Sequence, residues 1–401
     1  MDKTWDTENR RQRQKVFDDL AISAEKNTDE IYTQSPIYTM CLFAFFILAM
    51  VAGSINLYSA SGGDLLFNTH AKHASVSVIA FILLVSFVRP KHLIRSTYWI
   101  YGAILLLLLS VLLIGDIGGG SRRWLNLGPF NGQPSELAKI AIAMVTARFF
   151  AESRINRPYK LRDIWPLGLL VSFYSLLIFP QPDLGTASFL ALIVLAQLCF
   201  VRVDVKSFAM VLSGILMTIP VLWKFFLLDY QKIRILSFLD PSYEPQGKGY
   251  NVLQSLIAVG SGGLYGKGFM NGTQTHLKFL PMSHSDFIFS VFSEEYGFIG
   301  SSLVVLSFAA VGCLSLLIAK QSKSTFCSLL AIGLGAFLFM EFAINVAMVL
   351  RMFPVKGLPL PFFSFGGSNL LTSTIAVALL IIIDRDNRGK FKSRNLHLYR
   401  N

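Results

Sequence analysis

A chain of 401 residues that is 53% hydrophobic and only 15% charged falls outside the range of ordinary soluble domains, where about a quarter of residues carry charge. Its 36 Lys and Arg outnumber 24 Asp and Glu, but the basic residues stand beside apolar runs, which excludes a nucleic-acid partner in favour of membrane orientation. Cys41, Cys199, Cys313 and Cys327 form no CxxC or metal-ligand spacing and read as small buried hydrophobes.

Residues 1–35 are polar and mixed in charge, a cytoplasmic N-terminal tail by composition. A span needs roughly 20 apolar residues to cross about 30 Å of hydrocarbon. Candidate spans run at about 37–59, 71–89, 97–114, 134–152, 164–179, 185–201, 207–228, 287–318, 325–350 and 369–384. Pro180, Pro182 and Gly185 separate the short fifth and sixth and predict a tight turn at the membrane surface. The expected fold is an all-α polytopic membrane protein: a bundle of about ten transmembrane helices over 36–384, one domain because every span packs on others. Residues 385–401 follow as a basic cytoplasmic C-terminal tail.

Every even-numbered span ends in a basic segment: Arg89, Lys91 and Arg95; Arg154, Arg157, Lys160 and Arg162; Arg202 and Lys206; Lys320 and Lys323; then Arg385, Arg388, Lys390, Lys392 and Arg394. The positive-inside rule places all of these, and both termini, in the cytoplasm. The outer loops are then 60–70, 115–133, 180–184, 229–286 and 351–368. The fourth is too long for a plain connector, and such loops usually carry function. Its apolar, Gly-rich run 250–264 suits a segment lying in the interface or dipping into the bundle.

The outer starts of the even spans hold the unusual residues. Span four opens Gln133-Pro134-Ser135-Glu136, span six follows Gln181-Pro182-Asp183, span eight follows His284-Ser285-Asp286, and Ser368 suits an N-cap of span ten. Helix N-termini carry partial positive charge, so several on one face favour a phosphate-bearing ligand, against a plain reading of ordinary capping. Glu136 and Lys139, three apart, share a face of span four and are either a satisfied ion pair or functional. Arg148, near the inner end, reads as snorkelling. Glu294, Glu295 and Glu341 need partners that the sequence does not assign, with hydrogen bonds between helices as the default.

Arg122, Arg123 and Arg234 break the positive-inside rule, which suggests an anionic ligand at the outer surface, or lipid headgroups. Asp286, where the long loop meets Phe287-Ile288-Phe289, is either a partly desolvated general base or a capping residue for span eight. His284 could serve as a second acid/base or as a plain hydrogen-bonding residue.

Several stretches, ordered from about 118 to 372, together resemble one family. They are Gly120-Ser121-Arg122-Arg123-Trp124 through Ser135-Glu136-Leu137-Ala138-Lys139; Gln181-Pro182-Asp183-Leu184-Gly185-Thr186; Gly249-Tyr250 through Gly260-Ser261-Gly262-Gly263; and Gly266-Lys267-Gly268. Gly272-Thr273-Gln274, His284-Ser285-Asp286-Phe287 and Leu358-Pro359-Leu360-Pro361-Phe362 through Gly366-Gly367-Ser368 complete the set. The family is SEDS (shape, elongation, division and sporulation), the bacterial cell-wall polymerases. Gly272-Thr273-Gln274 and Phe279-Leu280-Pro281 look more like its elongation branch, RodA, than its division branch, FtsW.

The resemblance implies a peptidoglycan glycosyltransferase that polymerises lipid II at the outer face of the bacterial cytoplasmic membrane. By resemblance, Asp286 matches the catalytic aspartate, and Arg123, Glu136, Lys139, Asp183, Arg234 and Ser368 match substrate-binding residues. A class B penicillin-binding protein and other elongation-complex membrane proteins are the implied partners. No cofactor is required by the residues, although a divalent cation (Mg or Mn) could accompany the pyrophosphate. The chain departs from the family pattern at Phe269, Ser285 and Phe365, and at Arg351, where a small or apolar residue is expected. Two rival readings remain at this level: a lipid II flippase or transporter, and a non-catalytic scaffold of the cell-wall machinery.

Overall fold

A computed structural model describes residues 36–62, 65–118, 121–126, 131–153, 155–181, 183–240, 248–277, 279–280 and 283–398. The tail 1–35 and the motif residues Gly119, Gly120, Pro182 and Pro281 lie outside the described residues. Among those described, eight helices are long and apolar enough to cross a membrane, and Gly185–Leu198 forms a shorter apolar one. Pro134–Glu152 supplies a further long helix, which holds Glu136, Lys139, Arg148 and Glu152. Together these coincide with all ten expected segments.

In chain order the spanning helices are α1 (Ile37–Ser61), α2 (Leu65–Phe87), α3 (Pro90–Ile114), α4 (Pro134–Glu152), α5 (Leu161–Ile178), α6 (Leu184–Leu198) and α7 (Val205–Val221), which a π turn extends to Phe226. Helices α8 (Asp229–Leu239), α9 (Lys248–Ser261) and α10 (Thr273–His276) occupy the long fourth loop. The chain then completes the bundle with α11 (Ile288–Gln321), α12 (Thr325–Val349) and α13 (Gly367–Leu398). The residues expected as a basic tail after 384 continue the last helix as far as Leu398.

The outer loop before α4 carries strands that the all-α expectation did not include. It folds into a small antiparallel ladder of β1 (Asp116–Gly118), β2 (Ser121–Asn126) and β3 (Asn131–Gly132), with Asp116 facing Trp124 and Leu125 facing Gly132.

Helix α4 is the centre of the bundle. Ala138, Ala141, Ala143 and Ala147 are buried, and small side chains let neighbouring helices approach closely where no hydrophobic drive separates helix from lipid. Gln197 of α6 donates through Nε2 to the Ala143 carbonyl (3.0 Å) and the Leu329 carbonyl (2.9 Å), tying α4, α6 and α12 together. At the end rich in Lys and Arg, Asp384 accepts from Thr39 Oγ1 (2.6 Å) and pairs with Arg388 (3.1 Å). Arg148, expected to snorkel, reaches the Ile94 carbonyl (2.6 Å), lies over the Tyr98 ring (4.1 Å) and pairs with Glu152 (2.6 Å).

Helix α11 is broken at Gly297, whose φ of 66° and ψ of −164° no helix contains. A break in a buried helix orphans backbone groups, each costing about 1–3 kcal/mol if unpaired. The glycine-rich loop after α9 meets them. Lys267 N–H donates to the Glu294 carbonyl (3.0 Å) and Gly268 N–H to the Glu295 carbonyl (3.0 Å). In return Phe298 N–H donates to the Gly263 carbonyl (2.8 Å) and Ile299 N–H to the Leu264 carbonyl (3.1 Å). The approach requires glycine: a Cβ at Gly262 would overlap the Ser293 carbonyl, and one at Gly266 (φ 82°) the Glu295 carbonyl.

A second close approach joins α1 to the segment before α13. A Cβ at Gly53 would overlap the carbonyl of Phe362, itself at φ 67°. Gly53→Ala is expected to destabilise the protein by about 1–3 kcal/mol, because backbone rather than a flexible side chain must yield. Thermal unfolding in detergent checks this, and an unchanged midpoint contradicts it.

Candidate active site

The starts of α4, α6, α11 and α13 meet at one end of the bundle, the end opposite the basic helix termini. Gln133, before α4, donates its backbone N–H to Ser368 Oγ (2.8 Å) and its Nε2 to Asp183 Oδ2 (3.3 Å). Ser368 is therefore not the N-cap of the last helix: it lies in the first turn of α13 and serves its neighbour. Asp183 does cap α6, with Oδ1 accepting from Thr186 N–H (3.1 Å) and Oδ2 from Thr186 Oγ1 (2.9 Å). Arg123 of β2 donates Nε to the Gln181 carbonyl (2.8 Å) and stands 3.9 Å from Asp183.

Arg123 and Asp183 line a cleft of about 120 Å³ together with Gln231 and Arg234 of α8 and Lys356. Three cations face one carboxylate there, so the cleft has the charge of an anion site. Lys356 donates to Ser188 Oγ (3.1 Å) and lies 5.2 Å from the centre of the Phe353 ring. Its burial pulls the ammonium below the usual lysine range, a cost that an arriving anion would offset.

Asp286 sits beside this cleft. Gly357, next to Lys356, adopts φ 67°, and a Cβ there would stand 3.5 Å from Asp286 Oδ2. The N-cap position of α11 is Phe287, with no side-chain capping bond of its own, and Asp286 precedes it by one residue. Three contacts hold the backbone around it: Asn345 Nδ2 donates to the Asp286 carbonyl (3.1 Å), Ser364 Oγ to the Ser285 carbonyl (2.6 Å), and Phe365 N–H to the His284 carbonyl (2.9 Å). Asn345 also donates to the Leu358 carbonyl (2.8 Å). Burial lowers the His284 pKa, against an upward pull from Asp286, so the imidazole is neutral at pH 7. The unexpected Phe365 places its ring between His284 (6.3 Å) and His73 (6.4 Å).

Glu136 and Lys139 lie deeper than the cleft. Lys139 is 0% exposed; its Nζ pairs with Glu136 (2.9 Å) and Glu341 of α12 (2.7 Å), between the Phe189 and Phe337 rings. Asn369 of α13 donates to Glu341 (3.2 Å) and Glu136 (3.4 Å). Of the anticipated substrate contacts, the structure thus brings Arg123, Asp183 and Arg234 to the cleft. Glu136, Lys139 and Ser368 join the packing beneath it. The sequence left Glu341 without a partner, and Asn369 and Lys356 went unmarked. Lys356 carried the same signal as Arg123, a cation on the wrong side.

A family sequence model described as cell cycle protein, covering FtsW, RodA and SpoVE, matches residues 34–389. The chain belongs to this family. Peptidoglycan glycosyltransferase MrdB of Escherichia coli K12 is 35% identical over 359 residues, which cover 88% of this chain and 95% of that protein. MrdB of Helicobacter pylori is 36% identical over 84% of this chain and 87% of its own. Probable peptidoglycan glycosyltransferase FtsW of Haemophilus influenzae is 31% identical over 91% and 95%.

Among solved structures, a chain of a peptidoglycan synthase complex that coordinates polymerization and crosslinking aligns with TM-score 0.73 at 27% identity, over 89% of this chain and 99% of that one. The rod shape determining protein RodA of Thermus thermophilus aligns with TM-score 0.65 at 25% identity, over 89% and 98%. This SEDS chain is RodA-like, and it is a multi-pass membrane protein.

The buried cluster gives an asymmetric expectation. Lys139→Met leaves Glu136 and Glu341 facing each other in the core and is expected to cost about 3–5 kcal/mol. Glu341→Gln keeps the Glu136–Lys139 pair and costs less. Thermal unfolding of both variants in nanodiscs decides: equal stability would mean that Lys139 does not hold the cluster.

Proposed function

We propose that the chain polymerises lipid II at the outer face of the bacterial cytoplasmic membrane, with Asp286 as general base and the Arg123–Arg234–Lys356 cleft receiving the pyrophosphate. That it is a peptidoglycan glycosyltransferase follows from its family and from relatives of that name spanning nearly its whole length. The assignment within the fold rests on one observation: a carboxylate at the start of α11 stands beside a cleft lined by three cations.

Asp286 takes the proton of the acceptor sugar's 4-hydroxyl as its oxygen bonds to the anomeric carbon of the donor. The bond from that carbon to the pyrophosphate oxygen breaks, and undecaprenyl pyrophosphate leaves with its charge met by the three cations. The dry Lys139 cluster and the Gln133–Ser368 bond keep the helix starts in register beneath this cleft. Among the described residues no group of three His, Cys, Asp or Glu is placed to hold a metal ion. A divalent cation (Mg or Mn), where one takes part, would accompany the pyrophosphate as its counter-ion.

The basic residues of the opposite end support a cytoplasmic location for both termini under the positive-inside rule. The similarity to a subunit of a synthase complex that polymerises and crosslinks supports a class B penicillin-binding protein as partner, within a larger set of elongation-complex membrane proteins.

Incubation of the purified protein with labelled lipid II, with and without that partner, tests the reading. Asp286→Ala should slow glycan formation by about 10²–10⁴-fold, and a variant that polymerises at the wild-type rate overturns the assignment. Arg123→Gln and Arg234→Gln should each raise the KM for lipid II about tenfold, as the loss of a charge-assisted hydrogen bond does. Unchanged KM in both would move the pyrophosphate elsewhere.

A further inference from the structure

Asp286 leads into a short piece of helix, Ile288 to Tyr296, which the break at Gly297 separates from the rest of α11. A helix cut loose from its continuation takes its direction from whatever grips its end. Near Asp286 the grip is Asn345, Ser364 and Phe365. At the far end it is the glycine loop, and the loop is itself gathered by one side chain. Glu294 is 0% exposed. Its Oε1 accepts from Lys267 Nζ (2.6 Å), Thr273 Oγ1 (3.0 Å), Gln274 N–H (3.2 Å) and Ser261 Oγ (3.4 Å). Those donors come from the end of α9, the glycine loop and the start of α10. Gly272 leaves room for the carboxylate, since a Cβ there would stand 3.0 Å from Oε2. Glu295 adds a tie on its own side, accepting from Ser59 Oγ of α1 and from the Met270 backbone.

We propose that Glu294 and Lys267 are positioning residues for Asp286: their ion pair latches the glycine loop onto the break in α11 and so fixes the half-helix that presents the carboxylate to the cleft. The proposal rests on the reading of Asp286 as general base. Eight residues separate Asp286 from Glu294, a little over two helical turns, so a small change of tilt at the latch is carried to the carboxylate. A shift of about 1 Å at a catalytic group is enough to cost up to 10²-fold in rate. The latch touches none of the residues that line the cleft, so substrate affinity should survive its loss.

The test uses the full-length protein in nanodiscs, with lipid II turnover and amide hydrogen exchange measured on the same samples. Glu294→Gln should lower kcat about tenfold with the KM for lipid II within about threefold. It should also speed exchange in 262–277 and 286–296 and leave α4 and α13 unaltered. Lys267→Met, at a partly exposed position, should do the same, and Lys267→Arg, which keeps the charge, should leave both readouts at their wild-type values. Faster exchange with unchanged kcat would make the latch structural only and overturn the proposal, as would unchanged exchange in 286–296. Full activity of Asp286→Ala would overturn the general-base reading instead, and the exchange result would still report on the latch.

Discussion

The bundle depends on one buried ammonium. Lys139 lies at the meeting of three helices with a carboxylate from its own helix, another from α12 and an amide from α13 reaching the same point. In lipid, where helices gain little by excluding water from one another, such polar contacts decide which helices pair and in what register. A lysine at that depth is tolerable only because its charge is met on every side, by two carboxylates and two aromatic faces. The arrangement fixes α4 against α12 and α13, and those same helices set the level at which Gln133, Ser368 and Asn345 can act.

Charge is therefore used in two ways at two depths. Below, it is dry and compensated, and holds helices together. Above, Arg123, Arg234 and Lys356 line the cleft with the single carboxylate of Asp183, which gives it the charge of an anion site. The pairing of Arg123 with Asp183 is long at 3.9 Å while its hydrogen bond to Gln181 is short at 2.8 Å. The backbone carbonyl thus orients the guanidinium at shorter range than its counter-charge does.

Much of this was legible in the sequence because the bilayer makes span length and loop charge strict rules. The ten segments and the cations on the wrong face could be read from apolar length and charge placement alone. What could not be read was pairing at a distance. Glu341 stands 202 residues from Lys139, and no local pattern joins them. Glu136 and Lys139 look the same at helical spacing whether they face a cavity or a core, so they were expected at the substrate and are found packed away. Arg351 looked out of place by type, and its backbone is unusual as well: it adopts φ 57° just past the end of α12, a conformation that favours glycine.

The glycine loop shows the same limit from the other side. By composition the stretch suits a segment lying in the interface or dipping into the bundle, yet four of its backbone hydrogen bonds answer vacancies in a helix some thirty residues later in the chain. Within a bilayer an unpaired backbone group has no water to turn to, so a break in a spanning helix and the segment that repairs it must arise together. The break at Gly297 is what lets Asp286 sit on a piece of helix with its own direction, and the repair is what makes that direction a fixed one. A continuous helix would be simpler to build, but its tilt across the membrane would dictate where the carboxylate points. Separating the two frees the site end of α11 to follow the geometry of the cleft while the remainder follows the packing of the bundle.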